Sequence, residues 1–524
     1  MTVGRRTPSR SAEPGHLYGV GVGPGDPSLV TVAAAGLIGS ADVVAYHRAA
    51  HKDSVALSIA RDYLSDNVTH EALVYPVTTG STDHPGGYHA LLAEFYDDCA
   101  GRLAAHLSAG RSVVVLAEGD PLFFGSFMYV HDLLKPRFPV EVVPGVTSMA
   151  AATAAVGTGL CRHEDTLTVL PGTLPVRELA DRLSATDAAV VMKLGRTFPN
   201  VLEAVRQAGL LDRAWYVERA SSEHQRVRPI LHVDPATVPY MSLVVVTGRD
   251  LRADAAGRAM TPTVSETPDP QPATAGAGTV HVLGLGPGPD DWVTPEAERI
   301  LAQVRHVVGY RPYVERVAPR EGLTRHFSGN TVEVDRGVAA LDLARAGHDV
   351  AVVSGGDPGV FAMASAVLEA QETAASDDPS YAQVDVRVHP GVTAAHAAAA
   401  RAGAPLGGDH ALISLSDRLK PWEVIERRLR ALAHADLTIA IYNPRSASRP
   451  DQLGRAREVL LEATDEDRIV VVGRHIGREQ ESVTVTTLGD FDPETVDMGC
   501  LVIVGSSSTV VSSSGAVWTP RSQS

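Results

Sequence analysis

Three residue patterns in this chain put polar groups and bare backbone within reach of a ligand, and each occurs twice. Val20-Gly-Val-Gly-Pro-Gly-Asp26 returns as Leu283-Gly-Leu-Gly-Pro-Gly-Pro289. Glu118-Gly-Asp-Pro121 returns as Gly355-Gly-Asp-Pro358, and Pro144-Gly-Val-Thr147 as Pro390-Gly-Val-Thr393. Glycine lets the backbone approach a ligand closely. Gly23-Pro24 and Gly286-Pro287 can therefore hold a nucleotide-like molecule against amides at a strand's end. Asp120 and Asp357 can accept from a ligand hydroxyl or amine, or can close an Asx turn on their own backbone. Thr147 and Thr393 suit the N-cap of the alanine-rich segments that follow, and free amides at a helix start attract polar groups.

Other chemistries lack their residues. The glycine turns are not G-x-G-x-x-G with an acid about twenty residues on, and no Lys-Ser/Thr follows them as in Walker A. The 20 histidines form no H-E-x-x-H, and Cys99, Cys161 and Cys500 form no C-x-x-C, so no metal is expected. A G-x-S-x-G elbow is absent too. Glycine loops recur where acid/base constellations do not, which suits chemistry driven by a reactive cosubstrate better than hydrolysis.

Short apolar runs must position these loops. His16–Val22 and Thr279–Leu285 read as strands that open the two repeats, and Ser112–Ala117 and Val350–Ser354 lead into the Gly-Asp-Pro turns. Further runs are Ala188–Met192, Leu243–Thr247, Thr438–Tyr442, Ile469–Val472 and Leu501–Val504. Thr294, Pro295, Glu296 and Glu298 read as a capped helix start, repeated less cleanly over Leu29–Leu37. Strands alternating with helices predict an α/β fold with at least partly parallel sheets. The motif offsets are 284 − 21 = 263, 356 − 119 = 237 and 390 − 144 = 246, so the first repeat carries 26 extra residues between its first two motifs. These are expected to include Thr78–Gly87. The predicted organisation is a tail (1–15), a first unit (16–252), a flexible linker rich in Pro, Ala, Thr and Gly (253–278), a second unit (279–510) and a second tail (511–524).

At 524 residues the chain is long enough for roughly three to four domains. Its 62 acidic against 46 basic residues give a net charge of −16, which argues against a nucleic-acid or anionic-membrane surface. No apolar run approaches a bilayer span. Arg5 and Arg6 hint at a twin-arginine signal, but no apolar stretch follows them. Scattered cysteines in odd number fit a reducing compartment, and a cytoplasmic protein is expected.

Taken in this order, the three motifs resemble those of the tetrapyrrole (corrin/porphyrin) methyltransferases over about residues 16–252 and 279–510. Leu73-Val-Tyr-Pro-Val-Thr78, Ala117–Ser126 and Met192-Lys-Leu-Gly-Arg196 are similar to precorrin-2 C(20)-methyltransferase. Val308–Tyr313, Ser354–Ala362, Ile441–Ser446 and Val502–Thr509 are similar to precorrin-3B C(17)-methyltransferase. The resemblance implies two tandem units, each of two α/β subdomains with S-adenosylmethionine in a trough between them. It also implies C-20 methylation of precorrin-2 by the first unit, and C-17 methylation of precorrin-3B with ring contraction to precorrin-4 by the second. Carried over by position, the first cofactor site comprises Gly23, Pro24, Glu118, Gly119, Asp120, Thr147, Ser148, Met192, Ala220 and Leu243. The second comprises Gly286, Pro287, Gly355, Gly356, Asp357, Thr393, Ala394, Asn443, Arg474 and Cys500. Lys193, Arg196, Arg445 and Arg449 are expected to meet substrate carboxylates. No base for ring contraction is assigned. Pro289 in place of Asp26, and Arg311 where glycine is usual, depart from the pattern. A homodimer or an intramolecular pseudo-dimer is expected, with no nucleic-acid or membrane partner. The alternatives are a same-fold methyltransferase of RNA or protein, which needs salt-dependent binding, and a nicotinamide-dependent dehydrogenase, which needs the missing ribose-binding acid.

Overall fold

The computed structural model describes residues 10–77, 82–161, 165–248, 277–329, 333–418 and 420–520. Nearly all of the expected linker, and parts of both expected tails, lie outside these residues. Each repeat opens with a five-stranded parallel sheet. In the first, β1 (Leu17–Gly21), β2 (Val43–Ala49), β3 (Thr69–Tyr75), β4 (Val113–Ala117) and β5 (Val140–Val143) take the order β3-β2-β4-β1-β5.

After β5 the chain enters a second layer through β6 (Leu167–Pro171), β7 (Ala188–Met192), β8 (Ala214–Glu218), β9 (Arg226–Pro229) and β10 (Ser242–Val246). The second repeat builds the same parallel sheet from β11 (Thr279–Gly284), β12 (His306–Tyr310), β13 (Thr324–Ser328), β14 (Val350–Ser354) and β15 (Asp385–His389), ordered β13-β12-β14-β11-β15. After the two-residue β16 (Gly403–Ala404) come β17 (His410–Ser414), β18 (Thr438–Tyr442), β19 (Ile469–Arg474), β20 (Ser482–Thr487) and β21 (Cys500–Val504).

The two second layers are one sheet. Ten strands run β20-β19-β21-β18-β17-β6-β7-β10-β8-β9 through both repeats. At its centre β6 and β17 pair antiparallel, His410 opposite Val169, Ala411 opposite Thr168 and Leu412 opposite Leu167. These two strands open equivalent layers, so Thr168 and Ala411 mark a pseudo-two-fold axis and the halves form a pseudo-dimer within one chain. Pairing them removes two exposed strand edges. Cross-half ion pairs Arg182–Asp409 and Arg428–Asp187, both at 2.5 Å, flank the seam. A single apolar cluster joins Leu167, Val169 and Ala152 to Leu412, Ala398 and Val360.

The insertion is now placed. From β2 to β3 the paired starts are 69 − 43 = 26 residues apart in the first repeat and 324 − 306 = 18 in the second, so 8 of the 26 extra residues lie there. The other 18 fall between β3 and β4, where the helix is Gly87–Ser108 in the first repeat but only Glu333–Arg345 in the second. Residues 78–81 are outside the described set. Helix Val32–Ser40 starts later than its apolar pattern suggests, because Thr31 caps it and Leu29 belongs to a separate short turn.

One expectation is overturned. Part of the serine-rich end read as a tail is structured: β22 (Val510–Val511) and β23 (Val517–Trp518) pair antiparallel, and β23 lies parallel to β16. Gly403 permits this approach, since a Cβ there would stand 2.4 Å from the Val517 carbonyl oxygen. Among the described residues no helix is long and apolar enough to cross a membrane.

Candidate functional site

The three duplicated motifs converge at the carboxyl ends of β1, β4 and β5, and again at those of β11, β14 and β15, where parallel sheets present ligand loops. They meet as a knot of backbone. Gly23 bridges Gly119, with the Gly119 amide donating to the Gly23 carbonyl at 2.8 Å. A Cβ on Gly145 would lie 2.1 Å from the Gly119 carbonyl oxygen and 2.9 Å from Gly21 Cα. The second half repeats the knot: Gly286 bridges Gly356, and a Cβ on Gly391 would lie 2.7 Å from the Gly356 oxygen and 3.0 Å from Gly284 Cα. Glycine is required here because backbone packs directly on backbone.

Asp120 and Asp357 hold the knots together. Asp120 accepts from the Leu122 amide at 2.9 Å and from the Gly145 amide at 3.1 Å, and Asp357 accepts from Gly359 at 2.8 Å and Gly391 at 2.9 Å. Each carboxyl closes its own turn with one oxygen and staples the Pro-Gly-Val-Thr loop with the other. Neither stands open toward a ligand, which corrects one of the two readings the sequence allowed. Burial pushes the two carboxyls up, to about 7 for Asp120 and about 6 for Asp357. Thr147 and Thr393 cap the helices that follow, accepting from Ala150 at 3.3 Å and His396 at 3.2 Å, with Ser148 and Ala394 half-buried behind them.

The ten-stranded sheet supplies the facing wall. A Cβ on Gly25 would lie 2.8 Å from the Ala220 carbonyl oxygen, so this turn touches the loop after β8. Lys193 follows β7 in a left-handed conformation, with its ammonium 4.7 Å from the Phe124 ring centre. In the second half the Tyr442 ring lies tilted at 55° to Phe361 with centroids 5.0 Å apart, and its phenol accepts from the Ala395 amide at 3.0 Å. Glu118 is accessible to solvent, yet enough protein surrounds it to push its carboxyl up to about 7.

Strand register shows which second-half positions correspond to the first-half wall. Leu243 lies beside Met192 and Val217, and the residue with the same neighbours in the second half is Leu501, beside Tyr442 and Gly473. Ala220 likewise corresponds to Ile476. Asn443, Arg474 and Cys500 are displaced by one or two positions, and in a strand one position turns a side chain to the other face. Cys500 accordingly packs in the outer cluster with Val502, whereas Leu501 joins the inner cluster that holds Leu243. Arg474 pairs with Asp497 and donates to the Thr495 carbonyl. Asn443 donates to Ser414 Oγ at 3.0 Å. Tyr442 lies inside the Ile441–Ser446 motif and Leu501 inside a strand run without being singled out as site residues, and Ile476, two residues beyond β19, belongs to no motif.

The basic candidates also divide. Arg196 is exposed and Lys193 half-buried beside the first cleft. Arg445 is paired with Glu494 instead, and Arg449 is buried, donating to the Asn443 carbonyl at 3.2 Å. Both brace their loop and do not form an open rim.

Each Gly-Asp-Pro loop also leans on the other half. Phe123 meets the rings of His396 and His410 at 4.7 and 5.6 Å, and burial keeps those imidazoles neutral, with values lowered to about 3 and about 4. Reciprocally, Val360 bridges Cys161, and a Cβ on Gly359 would lie 3.2 Å from the Thr153 methyl.

The profile of the tetrapyrrole (corrin/porphyrin) methylases matches residues 16–231 and again 279–492. Over 514 residues the chain is 52% identical to the cobalamin biosynthesis protein CobIJ of Mycobacterium tuberculosis (strain ATCC 25618 / H37Rv), covering 97% of this chain and 96% of that protein. A precorrin-2 C(20)-methyltransferase of Sinorhizobium sp is 44% identical over 45% of this chain and 96% of its own length. A precorrin-3B C(17)-methyltransferase of Sinorhizobium sp is 47% identical over 44% of this chain and 91% of its own.

Proposed function

The chain belongs to the tetrapyrrole (corrin/porphyrin) methylases, and from that premise we propose how its two halves divide their chemistry. It is a bifunctional methyltransferase of cobalamin biosynthesis. The first unit, residues 16–252, acts on precorrin-2 at C-20. The second, residues 279–510, acts on precorrin-3B at C-17 and contracts the ring to precorrin-4. The observation that carries this reading is the 52% identity to CobIJ, which extends through both halves.

S-adenosylmethionine is the methyl donor in both units, supplying a sulfonium methyl that is already electrophilic. The residues present suit it. Each glycine knot offers a floor of bare backbone, Thr147 and Thr393 keep helix starts in place beside it, and Ala220, Leu243 and Met192 or Ile476, Leu501 and Tyr442 give an apolar wall for a nucleoside. The protein's part is to align donor and macrocycle and to exclude water, which lowers a barrier by roughly 7–11 kcal/mol when the geometry is right. Lys193 and Arg196 receive substrate carboxylates in the first unit. The buried free cysteines Cys99, Cys161 and Cys500 suit a cytosolic setting.

Calorimetric titration with S-adenosylhomocysteine, followed by labelled methyl transfer to precorrin-2 and precorrin-3B supplied separately, tests the reading. Two sites per chain and label in both products are expected. A single site, or label in one product only, contradicts a two-reaction enzyme.

A further inference from the structure

The two Gly-Asp-Pro loops share their backbone but not their chemistry. Glu118 stands between the end of β4 and Gly119, whose φ of 66° and bridge to Gly23 fix the loop. Among the described residues its carboxylate has no hydrogen-bond or ion-pair partner, and burial alone accounts for its raised affinity for a proton. A carboxylate at the end of a sheet strand, reachable by solvent and committed to no protein group, is poised to meet a ligand. At the same place in the second half stands Gly355, and the space is filled from another element. A Cβ there would lie 2.6 Å from Cε1 and 2.8 Å from Cζ of Tyr313.

The two target carbons differ in a matching way. In tetrapyrrole numbering position 20 is a bridge between two pyrrole rings and carries a hydrogen. Position 17 is a ring carbon that carries a side chain in its place. Methylation at the bridge must therefore be followed by loss of a proton from the same carbon, whereas methylation at position 17 releases none from its target.

Resting on the functional reading above, we propose that Glu118 is the base that removes the C-20 proton in the first unit. The new C–C bond forms with an electron pair of the macrocycle as the S–CH3 bond breaks, and the pair of that bond stays on sulfur as a thioether. C-20 then holds both hydrogen and methyl, and the macrocycle carries one positive charge. The Glu118 carboxylate takes the proton, and the C–H electron pair returns to the macrocycle and cancels the charge. Water at the accessible side of Glu118 receives the proton afterwards. A base that titrates near the working pH can both accept and release it. The second unit needs no such group at that place, and Tyr313 packs there instead.

The test uses the full chain, precorrin-2 carrying deuterium at C-20, and the variants Glu118→Gln and Glu118→Asp. Glu118→Gln is expected to lower kcat of the first reaction about 100-fold or more, the usual worth of a positioned base. It should also expose a primary deuterium isotope effect absent from the unaltered chain. S-adenosylhomocysteine should still bind both sites, with any change of affinity at the first much smaller than the loss of kcat, C-17 methylation should continue unchanged, and Glu118→Asp should recover part of the rate. Retention of C-20 activity by Glu118→Gln overturns the proposal. So does weakened S-adenosylhomocysteine binding at the first site with kcat restored at saturating donor, since Glu118 would then hold the donor. If the unaltered chain fails to methylate precorrin-2 while binding S-adenosylhomocysteine, the functional reading falls and the base falls with it.

Discussion

The two halves build the same glycine knot and close it against the facing sheet by different chemistry. In the first half the Asp26 amide donates to Ser221 Oγ at 3.1 Å, joining the glycine turn to the loop after β8. In the second half the equivalent pair is Pro289 and Gly477: proline has no N–H to give and glycine has no oxygen to receive it. Ring packing replaces the hydrogen bond, with Pro289 Cδ 2.4 Å and Trp292 Cζ3 2.8 Å from where a Gly477 Cβ would be. The departure at Pro289 is thus matched across the cleft. What both halves share is backbone held by buried aspartate. What they vary is the side chains that stand on it, Glu118 against Gly355 with Tyr313, and the closure beside it. A duplicated frame can carry two reactions because the variation falls outside the knot.

The strongest way to break this comparison is to remove the shared part from one half at a time. Gly145→Ala forces a methyl against the Gly119 carbonyl at 2.1 Å, and Gly391→Ala meets the Gly356 carbonyl at 2.7 Å. Overpacking of this kind costs about 1–3 kcal/mol where neighbours can give, and here both neighbours are backbone. We expect Gly145→Ala to abolish S-adenosylhomocysteine binding at the first site, and Gly391→Ala to weaken the second site less. Calorimetry with each variant reads both sites at once. Equal and small effects would mean that the knot does not shape the site.

Next in size is the pH dependence of the two reactions. Glu118 is pushed up to about 7 by burial, and no charged side chain contributes to the shift. Since the base must be ionised, the C-20 rate should rise about tenfold per pH unit below that value and level off above it. The C-17 reaction should lack this limb, as should any residual C-20 activity of Glu118→Gln. Rate profiles of both reactions in one preparation make the comparison.

The sequence displays the local part of this arrangement and hides the part made between distant segments. Turns, caps and strands such as Thr294 at its helix start, or Thr438–Tyr442, are written in neighbouring residues. The staple from Asp120 to the Gly145 amide joins positions 25 residues apart, and nothing in a Gly-Asp-Pro turn announces its second partner. Arg449 is expected to meet substrate carboxylates because it sits in a motif loop, yet it is buried and donates to the Asn443 carbonyl of that same loop. The β6–β17 seam and the β23–β16 pair are equally silent, because a short apolar strand does not name its neighbour.

The staples give a smaller effect with a definite sign. Asp120 and Asp357 take up protons near 7 and 6 in the native chain, whereas an unfolded aspartate does so at about 3.9. Between these values the native state holds protons that the unfolded state has released. The contribution to stability is therefore complete below about pH 4, and it is lost as pH rises through about 6 for Asp357 and about 7 for Asp120. Asparagine fixes the neutral form but keeps one acceptor, so Asp357→Asn and Asp120→Asn should lower Tm overall and flatten its fall with pH. The flattening should end near pH 6 for the first variant and near pH 7 for the second. Thermal unfolding across pH 5 to 8 would show shifts of a few degrees, about 2–4 °C per kcal/mol for units of this size. A Tm profile identical to that of the unaltered chain would mean these carboxyls are ionised throughout.

The two closures should respond least, and unequally. Gly477→Ser sets a side chain against Pro289 and Trp292 at a φ of 78°, where only glycine is unstrained, and about 1–3 kcal/mol should be lost. Ser221→Gly removes the oxygen that receives the Asp26 amide, a loss of about 1 kcal/mol. Ser221 itself stands at a φ of 64°, however, and glycine relieves that strain, which recovers roughly 1–2 kcal/mol less the roughly 0.5–1 kcal/mol that glycine's greater freedom in the unfolded chain costs. The net change should lie within about 0.5 kcal/mol, with first-site affinity for S-adenosylhomocysteine nearly unchanged. A large loss in Ser221→Gly would show that the first half depends on its hydrogen bond as a latch between sheet and turn. A near-neutral result would make the two closures interchangeable, and would place the difference between the halves in Glu118 and Tyr313.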